Sequence, residues 1–214
     1  MKIINDGLPE PLYEAVRQQR GPRAGVLSAT QLLNPPQQRA LMLQHWDEIE
    51  EQASDRIWAA LGSAMHALLE KHGRPLSGHL AEERLSAVCE GVKVTGTFDL
   101  YYEDGTLTDY KFVGVASTFN GIKTDWFQQL NIYAWLLREN GFAVNAGQVW
   151  AIYRDWMKAR AGRDGYPEKP AQRFSIPLWP HEKAAEFVAR RVRLHVAAEQ
   201  GLYGSCTDEE RWVR

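Results

Sequence analysis

Residues 92–112 read VKVTGTFDLYYEDGTLTDYKF, and this stretch decides the fold. It reads as two strands, 92–102 and 106–112, around the turn Glu103-Asp104-Gly105-Thr106. Asp-Gly between two strand-forming runs marks a tight hairpin. Alternation at a period of two places Asp109 and Lys111 on one face of the second strand. Closing the hairpin brings Asp99 near Asp109. Two carboxylates beside an ammonium stabilise a fold poorly. They suit the holding of a divalent cation and a water.

Working outward, residues 80–88 add a strand ahead of the hairpin through the turn Glu90-Gly91, giving a three-stranded meander. A loop with Gly114 and Gly121 leads into a helix over 125–140, ended by Gly141. Residues 148–153 read as a fourth strand and 173–178 as a fifth. Residues 180–200 read as a helix, with Ala184, Phe187, Val188, Val192 and Val196 as core positions. Toward the N-terminus, Ser28-Ala29-Thr30 caps a short helix reaching Leu33. Residues 37–72 are helical in pattern, with a break near Ala53-Ser54 and a stop at Gly73 and Pro75. In the second of these helices Ile57, Ala60, Leu61, Ala64, Met65 and Leu68 form a stripe expected to face the core. Trp58 and Trp150 are expected at the core or its edge. Residues 1–26 are punctuated by Gly and Pro and read as an irregular lead, with one domain over 27–214. The expected fold is α/β (α+β): a mixed sheet of four to five strands flanked by helices.

The totals set limits. The chain has 214 residues, 44% apolar and 24% charged, ordinary for a globular protein with a sizeable core. Its formal net charge of -2 excludes nucleic-acid attraction by bulk charge, so any such contact needs a local patch. Two distant cysteines, Cys89 and Cys206, support neither a disulfide framework nor a cysteine-rich metal site, and point to a reducing, cytoplasmic setting. There is no secretory leader and no run near the ~18 apolar residues of a membrane span, so no membrane partner is expected.

Asp99 and Asp109 are hard oxygen ligands suited to Mg²⁺ or Mn²⁺. Lys111 can neutralise a phosphate or orient a water. Metal-assisted phosphodiester hydrolysis fits that combination, although an Asp-x-Lys triplet alone also occurs as an ordinary surface pair. Gln129 and Tyr133 lie four apart and share a helix face. A lone His66 in an apolar helix is more often a core residue than a ligand, yet neutral imidazole is a common metal ligand. Residues 157–171 read as a mobile loop. Arg154, Lys158, Arg160, Arg163, Lys169 and Arg173, with Trp156 and Tyr166 among them, fit contact with single-stranded DNA by phosphate pairing and base stacking.

Taken in order, these pieces resemble the PD-(D/E)XK nuclease superfamily in its RecB-like, phage-type exonuclease branch. Leu27-Ser28-Ala29-Thr30-Gln31-Leu32 is similar to the branch's opening segment, and Gly62-Ser63-Ala64-Met65-His66 to its His-bearing helix. Gly96-Thr97-Phe98-Asp99 and Thr108-Asp109-Tyr110-Lys111 resemble its two core strands. Gln128-Gln129-Leu130-Asn131-Ile132-Tyr133 resembles its Q-x-x-x-Y helix, and residues 206–212 a tail common in phage-type members. The resemblance implies a restriction-endonuclease-like core. It also implies His66, Asp99, Asp109 and the Tyr110 carbonyl as ligands of Mg²⁺ or Mn²⁺, and Lys111 as the catalytic lysine. Gln129 and Tyr133 would contact the DNA backbone and hold Lys111.

The implied activity is a metal-dependent DNA exonuclease of recombination, repair or phage DNA processing, in a bacterial or phage-infected cell. It would act on single strands or duplex ends, with a helicase or a single-strand annealing protein as a possible partner. A structure-specific or restriction-type endonuclease and a catalytically inactive DNA-binding module share the same core and stay open as alternatives. Many RecB-like relatives hold an iron–sulfur cluster through four cysteines. Here Asn34-Pro35-Pro36 stands where the first Cys-Pro is expected, and two cysteines exclude that cluster. No G-x-x-x-x-G-K-[ST] motif is present, so no use of ATP is expected. Relatives often continue beyond the point matching Arg214, and the sequence leaves open whether the chain is trimmed there.

Overall fold

A computed structural model describes residues 1–18, 21–74 and 77–207. The chain divides into two compact units, one of residues 1–65, 88–94 and 188–214, the other of residues 66–87 and 95–187.

In the first unit, strand β1 (Lys2–Ile4) pairs in parallel with β3 (Glu50–Gln52), Ile3 opposite Glu51. Helix α1 (Glu10–Val16) lies between them in sequence. Ile3, Val16 and Ala53 form a small buried cluster, with Leu8, Tyr13 and Ile57 packed against it. The lead read as irregular therefore holds a strand and a helix. Its prolines do not break α1: Pro9 is the N-cap and Pro11 lies in the first turn, where a missing N–H leaves no bond unmade.

Strand β2 (Val26–Ser28) runs straight into α2 (Ala29–Leu33). Ser28 closes a capping box: its Oγ accepts from the Gln31 N–H and its own N–H donates to Gln31 Oε1. Helix α3 (Pro36–His45) follows, and the break expected near Ala53-Ser54 is made by β3 and a 3-10 turn over Ala53–Arg56. Arg39 is buried, with its Nε 2.7 Å from Glu199 Oε1. Arg191 donates to the Leu32 and Asn34 carbonyls, both at 2.6 Å, and so holds the end of α2.

Helix α4 (Ile57–Gly73) differs from expectation in what it covers: it has no buried residue. Leu61 and Leu68, read as core, are about half exposed, and Trp58 is 57% exposed. Part of the expected stripe is covered, since Ile57 and Ala60 pack against the Ile3, Val16 and Ala53 cluster. Gly73 ends the helix as read, whereas Pro75 lies outside the described residues.

The second unit is built on a mixed sheet. Strands β4 (His79–Cys89), β5 (Val92–Tyr102), β6 (Thr106–Val113), β7 (Ala146–Tyr153) and β8 (Ala171–Ile176) reproduce the five expected strands to within three residues. The order runs β5-β6-β7-β8, with β4 pairing β5. β5–β6 and β7–β8 are antiparallel, and β6–β7 is parallel from Thr106↔Ala146 to Val113↔Tyr153. A parallel step needs a crossover, and α5 (Thr124–Glu139) supplies it.

That helix buries Trp126 and all of 130–137. It sits close because two strand positions lack side chains. A Cβ at Gly147 would meet Leu130 Cδ2 at 2.8 Å, and one at Gly96 would meet Leu136 Cδ1 at 2.7 Å and Tyr133 Cε1 at 2.9 Å. Buried Asn131 then ties α5 to the segment after β8: its Oδ1 accepts from the Trp179 N–H at 2.6 Å and its Nδ2 donates to the Pro177 carbonyl at 3.2 Å. Helix α6 (His181–Glu199) closes the described fold, with Ala184, Val188 and Val192 buried as expected and Phe187 and Val196 partly so. The architecture is α/β, a mixed sheet flanked by helices. Among the described residues no helix is long and apolar enough to cross a membrane.

Candidate active site

β6 presents Asp109 and Lys111 toward α5. Lys111 Nζ lies 2.8 Å from Asp109 Oδ2 and donates to Gln129 Oε1 at 2.6 Å. Gln129 Nε2 in turn donates to the Tyr133 hydroxyl at 3.0 Å. The spacing of four on α5 thus becomes a relay that fixes Lys111. Tyr133 is 7% exposed, and burial pushes its hydroxyl pKa up, so it stays neutral. It reaches Gln129 from inside the fold. Gln129 and Tyr133 thus stand where they hold Lys111, one of the two roles expected of them.

The β5–β6 ladder joins Leu100 to Thr108 and Tyr101 to Leu107. One step further, the Tyr110 N–H is taken by Asp99 Oδ2 at 2.6 Å. A carboxylate has replaced a ladder carbonyl, and Asp99 is held beside β6. Asp99 Oδ1 lies 3.4 Å from His66 Nδ1, and His66 Nδ1 lies 3.2 Å from Glu82 Oε1. Ligand atoms of His66, Glu82 and Asp99 all fall within 4.8 Å of one another. Phe112, next to Lys111 on β6, packs edge-on against the His66 ring with centroids 5.6 Å apart.

Glu82 is the member that sequence reasoning missed. It sits within β4 at φ 53°, in the left-handed region that a non-glycine residue avoids. Such backbone costs about 1–3 kcal/mol and persists where the surroundings hold it. Here it turns the carboxylate to His66. Its only trace in the sequence is the Glu82-Glu83-Arg84 run, which interrupts the apolar pattern of the strand.

Electrostatically the cluster is short of positive charge. Glu82, Asp99 and Asp109 face one lysine and one histidine. Burial first, and the Asp109 charge second, push the Asp99 carboxyl up to about 7. The hydrogen bond to Glu82 raises His66, with the charges of Asp99 and Asp109 adding to it. Asp109 Oδ2 is buried and makes no hydrogen bond, since Lys111 approaches it closely but outside hydrogen-bonding angles. Its partner is the Lys111 ammonium at 2.8 Å, an ion pair without a hydrogen bond. The donors are hard oxygens and one imidazole, the set that suits Mg²⁺ or Mn²⁺.

The remaining expected contacts lie beyond β7. Arg154, Lys158 and Arg160 are exposed, the last two in a 3-10 turn (Lys158–Arg160). The loop read as mobile has an internal framework. The Tyr166 hydroxyl accepts from the Met157 N–H at 2.8 Å and donates to the Asp155 carbonyl at 3.2 Å, and the Trp156 indole donates to the Pro167 carbonyl. Tyr166 is 6% exposed and Arg160 lies 4.6 Å over its ring. It cannot stack on a base, because it is the loop's own core. Residues 208–212 of the expected tail lie outside the described residues. Cys206 precedes them, its N–H and Sγ directed to Gln37 Oε1.

No protein-family model and no curated protein matches the sequence. Among solved structures, the chain is similar to SSO0001 at 17% identity and a TM-score of 0.54, over 86% of this chain and 81% of that one. It is also similar to a phage-related exonuclease from Haemophilus somnus 129PT at 15% identity and a TM-score of 0.45, over 68% of this chain and 71% of that one. A protein provisionally named an exonuclease, from Eubacterium rectale, aligns at 13% identity and a TM-score of 0.43, over 75% of this chain and 62% of that one. At 17% identity the likeness to SSO0001 is one of fold alone.

Proposed function

We propose that the chain is a Mg²⁺- or Mn²⁺-dependent deoxyribonuclease of the PD-(D/E)XK type, acting as an exonuclease on single strands or duplex ends. The observation that carries this reading is the meeting of His66, Glu82 and Asp99 within 4.8 Å, beside the Asp109–Lys111 pair. His66, Asp99 and Asp109, with Glu82 added by its position, would hold the cation, and the resemblance adds the Tyr110 carbonyl. A bound cation of this kind supplies Lewis acidity at the phosphate and acidifies water at the site.

The chain's own residues do the rest. Asp99 and Asp109 crowd two carboxyls into one buried place, where a bound cation would relieve their repulsion. Lys111 directs its ammonium across the site, where it neutralises a phosphate oxygen and orients the attacking water. Gln129, backed by Tyr133, fixes the Lys111 ammonium beside Asp109. The Tyr110 N–H locks the Asp99 carboxylate in place.

The test is end-labelled DNA incubated with Mn²⁺ and wild type, Asp109→Ala or Lys111→Ala. Each substitution should lower the rate by several orders of magnitude, since each removes a group acting on the transition state. Equal rates in all three sink the assignment. Cutting of a closed circle would reassign the enzyme as an endonuclease. Tight DNA binding with no cleavage under any metal would leave a binding module.

A further inference from the structure

We propose that Phe119 is a stacking platform for an unpaired base of the polynucleotide at the active site, an inference that rests on the nuclease reading above. Phe119 is a large aromatic that is 56% exposed. It lies between β6, which carries Asp109 and Lys111, and α5, which carries Gln129. A chain leaving Lys111 therefore passes Phe119 before it returns at Gln129. With a strand rise of ~3.3 Å per residue, the end of β6 at Val113 is about 7 Å beyond Lys111, and Phe119 follows six residues later.

The exposure is held in place by the structure around it. A 3-10 turn (Val115–Thr118) precedes Phe119, whose N–H donates to the Ala116 carbonyl. Thr118 Oγ1 bonds the Val115 carbonyl at 3.1 Å and the Tyr153 hydroxyl at 2.8 Å. The Val115 N–H donates to Asp155 Oδ1 at 2.7 Å, and the Arg154 N–H to the Val113 carbonyl at 3.0 Å. These bonds join the loop after β6 to the loop after β7. Because the two strands are parallel, both loops leave the sheet at the same end.

The joined surface has the charge that a polynucleotide needs. Residues 154–170 hold five basic side chains against three acidic, and residues 114–123 hold Lys123 and no acid, within a chain of net charge -2. Tyr166 is buried in the loop, and Trp156 is half-buried with its indole N–H bonded to the Pro167 carbonyl, so among the described residues of the two loops Phe119 is the aromatic left exposed. A fixed aromatic set among basic side chains is the arrangement that stacks bases without reading their identity.

Binding is measured by anisotropy in the Lys111→Ala background with Mn²⁺, using a labelled single-stranded oligonucleotide and a series carrying one abasic nucleotide at successive positions. Phe119→Ala should weaken binding roughly fivefold to hundredfold, and Phe119→Trp should retain it. One abasic position should weaken binding to the Phe119 protein by a similar factor and add nothing to the loss from Phe119→Ala. Equal affinities for all three proteins overturn the inference. So does a loss that is the same at every abasic position. Cleavage by protein with Lys111 intact is scored separately. DNA cut with no such cycle leaves the nuclease reading standing and removes the platform. The cycle without any cutting does the reverse.

Discussion

Replacing Asp99 by Asn should stabilise the metal-free protein. The carboxyl is 9% exposed, and its pKa is raised from 3.8 to about 7, chiefly by burial and then by the Asp109 charge. A rise of about three units at 1.36 kcal/mol each sets an upper bound of about 4 kcal/mol on what the ionised form costs the fold. Local relaxation and water entry lower this to about 2–4 kcal/mol. Asn keeps an oxygen for the Tyr110 N–H, so the 2.6 Å bond is not the term being lost. In a chain of this length, the gain corresponds to a rise in Tm of roughly 4–16 °C at pH 8.

The pH dependence fixes the sign. The folded-state pKa lies above the unfolded value, so the folded protein holds more protons between pH 4 and 7. The wild type therefore loses stability relative to Asp99→Asn as pH rises through that window. The difference is absent near pH 4 and complete above 7. Saturating Mn²⁺ should then stabilise wild type and leave Asp99→Asn nearly unchanged. Thermal and urea melts at pH 5 and 8, with and without Mn²⁺, read all of this. A metal-free Asp99→Asn that melts below wild type at pH 8 would refute the reasoning, since Asp99 would then be a structural residue and not a strained ligand.

Three other predictions follow from the same geometry. Tyr133→Phe removes the hydroxyl that holds Gln129 Nε2, and should lower kcat about tenfold with little change in KM, the loss expected for one positioning hydrogen bond. Mn²⁺ affinity, by titration calorimetry, should fall as pH drops below about 7, approaching tenfold per unit, because a proton competes for Asp99. Gly96→Val should destabilise by about 1–3 kcal/mol in urea unfolding, since its Cβ would meet Leu136 at 2.7 Å and Tyr133 at 2.9 Å.

Much of the site could be read before the structure because it rests on short-range spacing. Asp109 and Lys111 share a strand face, Gln129 and Tyr133 share a helix face, and Asp104-Gly105 closes the hairpin that brings Asp99 across. Those relations are fixed by periods of 2.0 and 3.6 residues. Glu82 escaped because its placement depends on a left-handed backbone within a strand, which no periodicity records. β1 and β3 escaped because three residues carry no period, and α1 because proline at a helix start looks like proline that stops one. The exposed face of α4 and the buried ring of Tyr166 are tertiary outcomes. Residue type alone pointed the wrong way in both.

The central claim is that His66, Glu82, Asp99 and Asp109 form one cation site. A crystal soaked in Mn²⁺ and measured at the manganese edge tests it most directly. The account predicts one strong anomalous peak in contact with the Asp99 and Asp109 carboxylates and the His66 imidazole. Full-occupancy manganese bound elsewhere, with these side chains left as they are, would contradict it.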